Sequence, residues 1–150
     1  MNSTFCRVFV FSVRSPKLYN CIMKVSTNDI APSQDFLKPK TVEFIFDCIQ
    51  KGELDNLPPA PIVRKDESGN LIAIDGHNLI AVKSFLKESV DVHLATSSTD
   101  GLPETSEANA SRNSDLKEKF DTVLEDRERL KEAGTNTFKD LITKYPDLFQ

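Results

Sequence analysis

At 150 residues, with 39% hydrophobic residues and ten phenylalanines, the chain can build one ordinary domain with an appendage but not two full domains. A formal charge of −4 and a pI near 5.2 argue against broad attraction to DNA, RNA or an anionic membrane. The three cysteines, Cys6, Cys21 and Cys48, lack the CxxC spacing of a zinc or dithiol site and suit a reducing compartment, so a cytoplasmic protein is expected.

The apolar stretch 5–13 is short, carries Arg7 and is followed by Arg14 and Lys17. It cannot span a bilayer, and it lacks the uninterrupted apolar run and cleavage site of a signal peptide. Residues 1–22 are expected to be an extension outside the working domain, strand-forming or disordered. Val25, Thr27 and Ile30 then lead to Ala31-Pro32-Ser33, a short strand running into a turn. Pro39 suits a first helical turn, Val42, Ile45, Phe46 and Ile49 share one helical face, and Gly52 supplies the stop. Cys48 on that helix reads as a small core hydrophobe.

The prolines of Leu57-Pro58-Pro59-Ala60-Pro61 make a stiff connector, since each fixes φ and removes a backbone donor. Residues 61–65 and 71–75 are apolar runs joined by Asp66-Glu67-Ser68-Gly69-Asn70, which predicts a β-hairpin. After Gly76 a mostly apolar helix carries Leu79, Ile80, Val82, Phe85 and Leu86, and 90–95 alternates as a closing strand. The order β-α-β-β-α-β predicts an α+β (α/β) domain over 23–95, a mixed sheet with two crossover helices. Residues 96–113 are Ser, Thr, Asn and Glu with little apolar surface, so a flexible linker is expected. Residues 114–150 predict a C-terminal helical pair: Ser114 caps a helix with Leu116, Phe120, Val123, Leu124 and Leu130 that ends at Gly134, and a second helix starts near Thr137. Its charged stretch 117–131 reads as a solvated face, and Phe44, Phe46, Phe138 and Tyr145 read as packing rather than base-stacking platforms.

The chemically loaded segment is Asp75-Gly76-His77-Asn78, where a buried strand turns into a helix N-terminus. Unpaired first-turn amides and the positive end of the helix dipole suit a phosphate there, and glycine lets it approach the backbone. Asp75 can hold a metal or take a hydroxyl proton, His77 can donate to a phosphate oxygen, and Asn78 can contact either group. The bland alternative is that Asp75 or Asn78 only caps the helix and His77 lies on the surface. His93 has no partner at ligand spacing, and no metal site is expected.

Taken with Ile30-Ala31-Pro32-Ser33-Gln34 and Ala60-Pro61-Ile62-Val63-Arg64, the stretch Ile74-Asp75-Gly76-His77-Asn78-Leu79-Ile80-Ala81 resembles the ParB N-terminal/sulfiredoxin superfamily over residues 25–95. The resemblance implies a ParB/sulfiredoxin-like sheet and binding of CTP or ATP/ADP, with Mg²⁺, at the turn formed by Asp75, Gly76, His77 and Asn78. Two departures weaken that implication. The arginine that grips phosphate in the family is Leu79 here, and a carboxylate expected after the first proline turn is Gln34, with Asp35 one place later. Losing a charge-assisted arginine contact costs about 1.5–3 kcal/mol, and the candidate replacements are Lys83, one helical turn beyond Leu79, and Arg64 or Lys65 on the neighbouring strand.

Three functions remain open from the sequence. One is a nucleotide- or phosphate-binding module of a regulatory or partition-type accessory protein, with a protein partner engaged through the C-terminal helices. Another is a phosphotransferase resembling free-serine kinases, with Asp75 or Asp35 as base, His77 steadying the phosphoryl group and Mg²⁺ offsetting missing positive charge. The third is a non-catalytic protein-interaction domain whose site has decayed. Leu79 and Gln34 weigh against an enzyme. DNA binding by this chain alone is disfavoured, because 114–150 holds seven Lys/Arg against nine Asp/Glu and has no basic recognition helix. The assembly state stays open, a homodimer included.

Overall fold

Apolar alternation along the strands decides which face of the sheet each helix covers. The computed structural model describes residues 3–6, 21–98 and 107–150. Six strands, β1 (Ser3–Cys6), β2 (Cys21–Ser26), β3 (Ile30–Ala31), β4 (Ile62–Lys65), β5 (Leu71–Asp75) and β6 (Ser89–Leu94), form one mixed sheet in the order β1-β2-β6-β4-β5-β3. The pairs β1/β2, β2/β6 and β4/β5 are antiparallel, whereas β4/β6 and β3/β5 are parallel. The parallel pairs follow from crossovers through α1 (Pro39–Lys51) and α2 (His77–Phe85). The expected α+β class, mixed sheet and hairpin are therefore present.

β5 is apolar without interruption because both of its faces are covered. Leu71 and Ala73 join Met23, Val25, Val63, Val90 and Val92 in a core packed against Val42 and Ile45 of α1, Ile80 and Val82 of α2, and Phe138 and Leu141 of α5 (Phe138–Ile142). Ile72 and Ile74 point the other way, with Ile62 and Ala95, onto Leu116 of α3 (Glu107–Lys119), Phe120, and Val123 of α4 (Thr122–Glu132). β2 has only one covered face, so it alternates: Met23 and Val25 are buried, Ile22 and Lys24 exposed.

Local chemistry sets the ends of α1. Pro39 opens the helix, and the Gly52 N–H donates to the carbonyls of Cys48 and Ile49 at its close. In the hairpin, Asp66 Oδ1 accepts from the backbone N–H of Ser68 at 2.8 Å and of Asn70 at 2.9 Å. Cys48 is buried, as its place on α1 predicts.

Several boundaries differ from expectation. Ser3–Cys6 pairs with β2, so part of 1–22 belongs to the sheet; its register sets Cys6 opposite Cys21. Residues 7–20 of that segment lie outside the described residues. The expected linker 96–113 meets a helix from Glu107, while 99–106 lie outside the described residues. The expected single helix from Ser114 is two, broken at Phe120 and Asp121, where Arg64 donates to the Phe120 carbonyl at 2.7 Å. The C-terminal helices are not a detached pair either. They supply both faces of the core, because the strands of 23–95 expose more apolar surface than α1 and α2 can cover, and each large buried side chain contributes about 1.5–3 kcal/mol.

Candidate functional site

Gly76 shapes the turn between β5 and α2. Its φ of 90° is left-handed, and a Cβ added there would lie 2.6 Å from the Cβ of Pro61. Backbone conformation and the close approach of Pro61 together demand glycine, without any ligand.

The three polar side chains around it are each held by a distant part of the chain. Asp75 Oδ2 accepts from Arg112 Nε of α3 at 2.9 Å, and the same guanidinium donates to the carbonyl of Ala60. Asn78 Oδ1 accepts from the backbone N–H of Lys38 at 2.9 Å, which fixes the entry into α1. His77 is 3% exposed, and its Nε2 accepts the backbone N–H of Ser33 at 3.0 Å. Because an amide can only donate, Nε2 carries no proton and the neutral ring is protonated on Nδ1. The Ser33 hydroxyl donates to the Ala73 carbonyl at 2.6 Å, tying the proline turn to β5 as well.

Burial pushes the His77 pKa down from 6.5 to about 3; the Asp75 carboxylate opposes the shift and Lys119 adds to it. The ring packs near Phe138, with centroids 5.6 Å apart. His77 is thus a neutral latch, not a surface donor waiting for phosphate, and burial rather than sequence spacing decides this. Leu79, at the position where the family resemblance places a phosphate-gripping arginine, is 6% exposed and part of the core.

The proposed cationic replacements are also engaged elsewhere. Arg64 stacks on Phe120, 3.9 Å from the ring centroid, and Lys83 pairs with Glu88 at 3.1 Å. Lys65 and Asp35 are exposed, and the Gln34 amide donates to the Phe36 carbonyl at 3.0 Å. Among the described residues no group of three or more His, Cys, Asp and Glu is placed to hold a metal. These residues do not fit a nucleotide with Mg²⁺: the base candidate Asp75 is already paired, the histidine faces inward, and the arginine position is apolar.

Sequence reasoning missed Ser33, Arg112 and Arg127. Arg112 stood in the expected linker, where nothing local marks its partner. Arg127, in the stretch expected to be solvated, is buried and donates to the carbonyls of Pro32 at 2.7 Å and Thr135 at 2.8 Å. Phe46 packs edge-on against Phe85 and Phe149 as expected, but Phe44 is exposed rather than packed. His93 is half-buried, and its pKa is lowered by burial and by nearby Arg112.

Two of the three stretches on which the family resemblance rests, 30–34 and 74–81, meet through Ser33 and His77. No family model, no curated protein and no solved structure matches the chain. Among the described residues no helix is long and apolar enough to cross a membrane.

Proposed function

We propose that this chain is a non-catalytic interaction module on a ParB/sulfiredoxin-like scaffold, in which the strand-to-helix turn has become a structural joint. The observation that carries this reading is that Asp75 Oδ2, His77 Nε2 and Asn78 Oδ1 are each engaged by Arg112, Ser33 and Lys38 of the same chain. A working phosphate site leaves such groups facing solvent until the ligand arrives.

The C-terminal helices are poor candidates for partner binding, because Leu116, Phe120, Val123, Leu130, Phe138 and Leu141 are already buried. Large exposed apolar side chains occur instead on and around α1: Phe36, Phe44 and Leu54 are 51%, 48% and 60% exposed. Partner recognition through this region is the form of interaction we favour. Phe44→Ser should leave the fold intact and reduce recovery of a cross-linked partner.

The deciding experiment is an amide NMR titration of the full chain with CTP, ATP, ADP and GTP in the presence of Mg²⁺. No nucleotide should perturb residues 75–79. Saturable shifts confined to those residues would restore the nucleotide-binding reading.

A further inference from the structure

At the opposite end of α2 from Asp75, an open groove of about 580 Å³ runs between β2, the turn that follows it, the start of β6, and α5. It is polar and carries an excess of positive charge in a chain whose formal charge is −4. Lys24, Lys87 and Lys139 line it, and none of the three forms an ion pair among the described residues. Its one acidic lining residue, Glu88, is neutralised by Lys83 at 3.1 Å.

Two nearly buried hydroxyl side chains complete the lining. Thr27 is 5% exposed and Ser84 is 6% exposed, and neither hydroxyl has a hydrogen-bond partner among the described residues. A helical serine can bond back to a carbonyl one turn earlier. Ser84 does not, so its hydroxyl is available to whatever occupies the groove. Both side chains are held in nearly buried residues while their hydroxyl oxygens open onto the groove.

Lys87 adds an independent observation. Its φ of 59° makes it the one non-glycine residue with positive φ among the described residues. It follows the C-cap of α2: the Lys87 N–H donates to the Ser84 carbonyl at 3.1 Å and the Glu88 N–H to the Lys83 carbonyl at 2.9 Å. Glycine is the usual residue at this place in the motif, because a side chain there is strained. Lysine keeps the strain and sets a cation at the groove. The same two bonds satisfy the Ser84 and Lys83 carbonyls at the helix end.

We propose that this groove binds a phosphate group, as free phosphate or as a small phosphate monoester, with Lys24, Lys87 and Lys139 supplying charge and the Thr27 and Ser84 hydroxyls donating to its oxygens. Its volume leaves room for a small organic portion beside the phosphate. The inference does not depend on the reading of the turn at Gly76, which lies at the other end of the helix.

The test uses the full chain, titrated with inorganic phosphate, glycerol 3-phosphate and glycerol by calorimetry and amide NMR. Both phosphates should bind saturably, glycerol should not, and the shifts should centre on residues 26–28 and 84–89. Tighter binding of glycerol 3-phosphate identifies a monoester site; equal affinity identifies free phosphate as the ligand. Lys87→Gly should weaken binding about tenfold while raising Tm, and Ser84→Ala should weaken it several-fold. No saturable binding of either phosphate, unchanged affinity in both Lys87→Gly and Lys139→Ala, or shifts confined to residues 75–79 would overturn the proposal. Because Lys87→Gly relieves backbone strain, loss of binding in that variant cannot be assigned to a failure to fold.

Discussion

At the N-terminal end of α2, Asp75, His77 and Asn78 hold three separate segments of the chain in place; at its C-terminal end, the side chains of Ser84 and Lys87, with that of Thr27 beside them, have no hydrogen-bond or ion-pair partner among the described residues. In sequence the first end is the more conspicuous, since Asp-Gly-His-Asn after a buried strand has the composition of a phosphate turn. What separates the two is whether the polar atoms are already satisfied. A histidine accepting from a buried amide is part of the scaffold, whereas an unbonded hydroxyl and an unpaired ammonium remain available for recognition.

Leu79→Arg is the strongest way to break this contrast. If the turn is structural, the substitution places an unpaired guanidinium in the core, lowers unfolding free energy by about 3–5 kcal/mol and creates no nucleotide affinity. Urea denaturation with a parallel nucleotide titration measures both. A well-folded variant that gains CTP or ATP binding would move the turn back among the sites.

Gly76→Ala should cost about 3 kcal/mol, from the left-handed backbone and from contact with Pro61. Loss of Tm with no other change is the expected result, and a variant of wild-type stability would show that Pro61 yields easily.

His77 ties the stability of this end of α2 to pH. Its pKa falls from 6.5 to about 3 on folding, so the unfolded chain binds the extra proton between these values. The histidine's contribution to stability is full above pH 6.5 and is lost as pH falls toward 3, by about 1.4 kcal/mol per pH unit. His77→Gln keeps an acceptor for Ser33 but cannot titrate; denaturation from pH 7 to pH 4.5 should show a shallower decline in the variant. Parallel declines would mean that His77 is protonated in the fold.

The smallest effect has the opposite sign. Lys87→Gly should raise stability by about 0.5–1 kcal/mol by removing strain at a positive φ. A loss of stability would show that the lysine side chain serves the fold, making the two ends of the helix alike.

Much of the architecture was legible in the sequence. Pro39, the Val42-Ile45-Phe46-Ile49 face and Gly52 delimit α1 as expected, and Asp66 to Asn70 close the expected hairpin. Periodicity, turn residues and caps act within a few positions, so local pattern suffices for them. The part played by the C-terminal helices was not legible, because an amphipathic face shows that something is buried but not against what. The second face of β4 and β5 was there to receive Leu116, Phe120 and Val123, and the polar look of 96–113 hid the start of α3.

The sequence by itself determined the types of the main elements from α1 to β6 and the strand-to-helix turn between β5 and α2. Only the tertiary structure decided what that turn does. Arg112 reaches Asp75 across 37 residues, Asn78 reaches Lys38 across 40, and His77 reaches Ser33 across 44. Whether a polar group is spent or free depends on partners at such separations, and the backbone must fold before they meet.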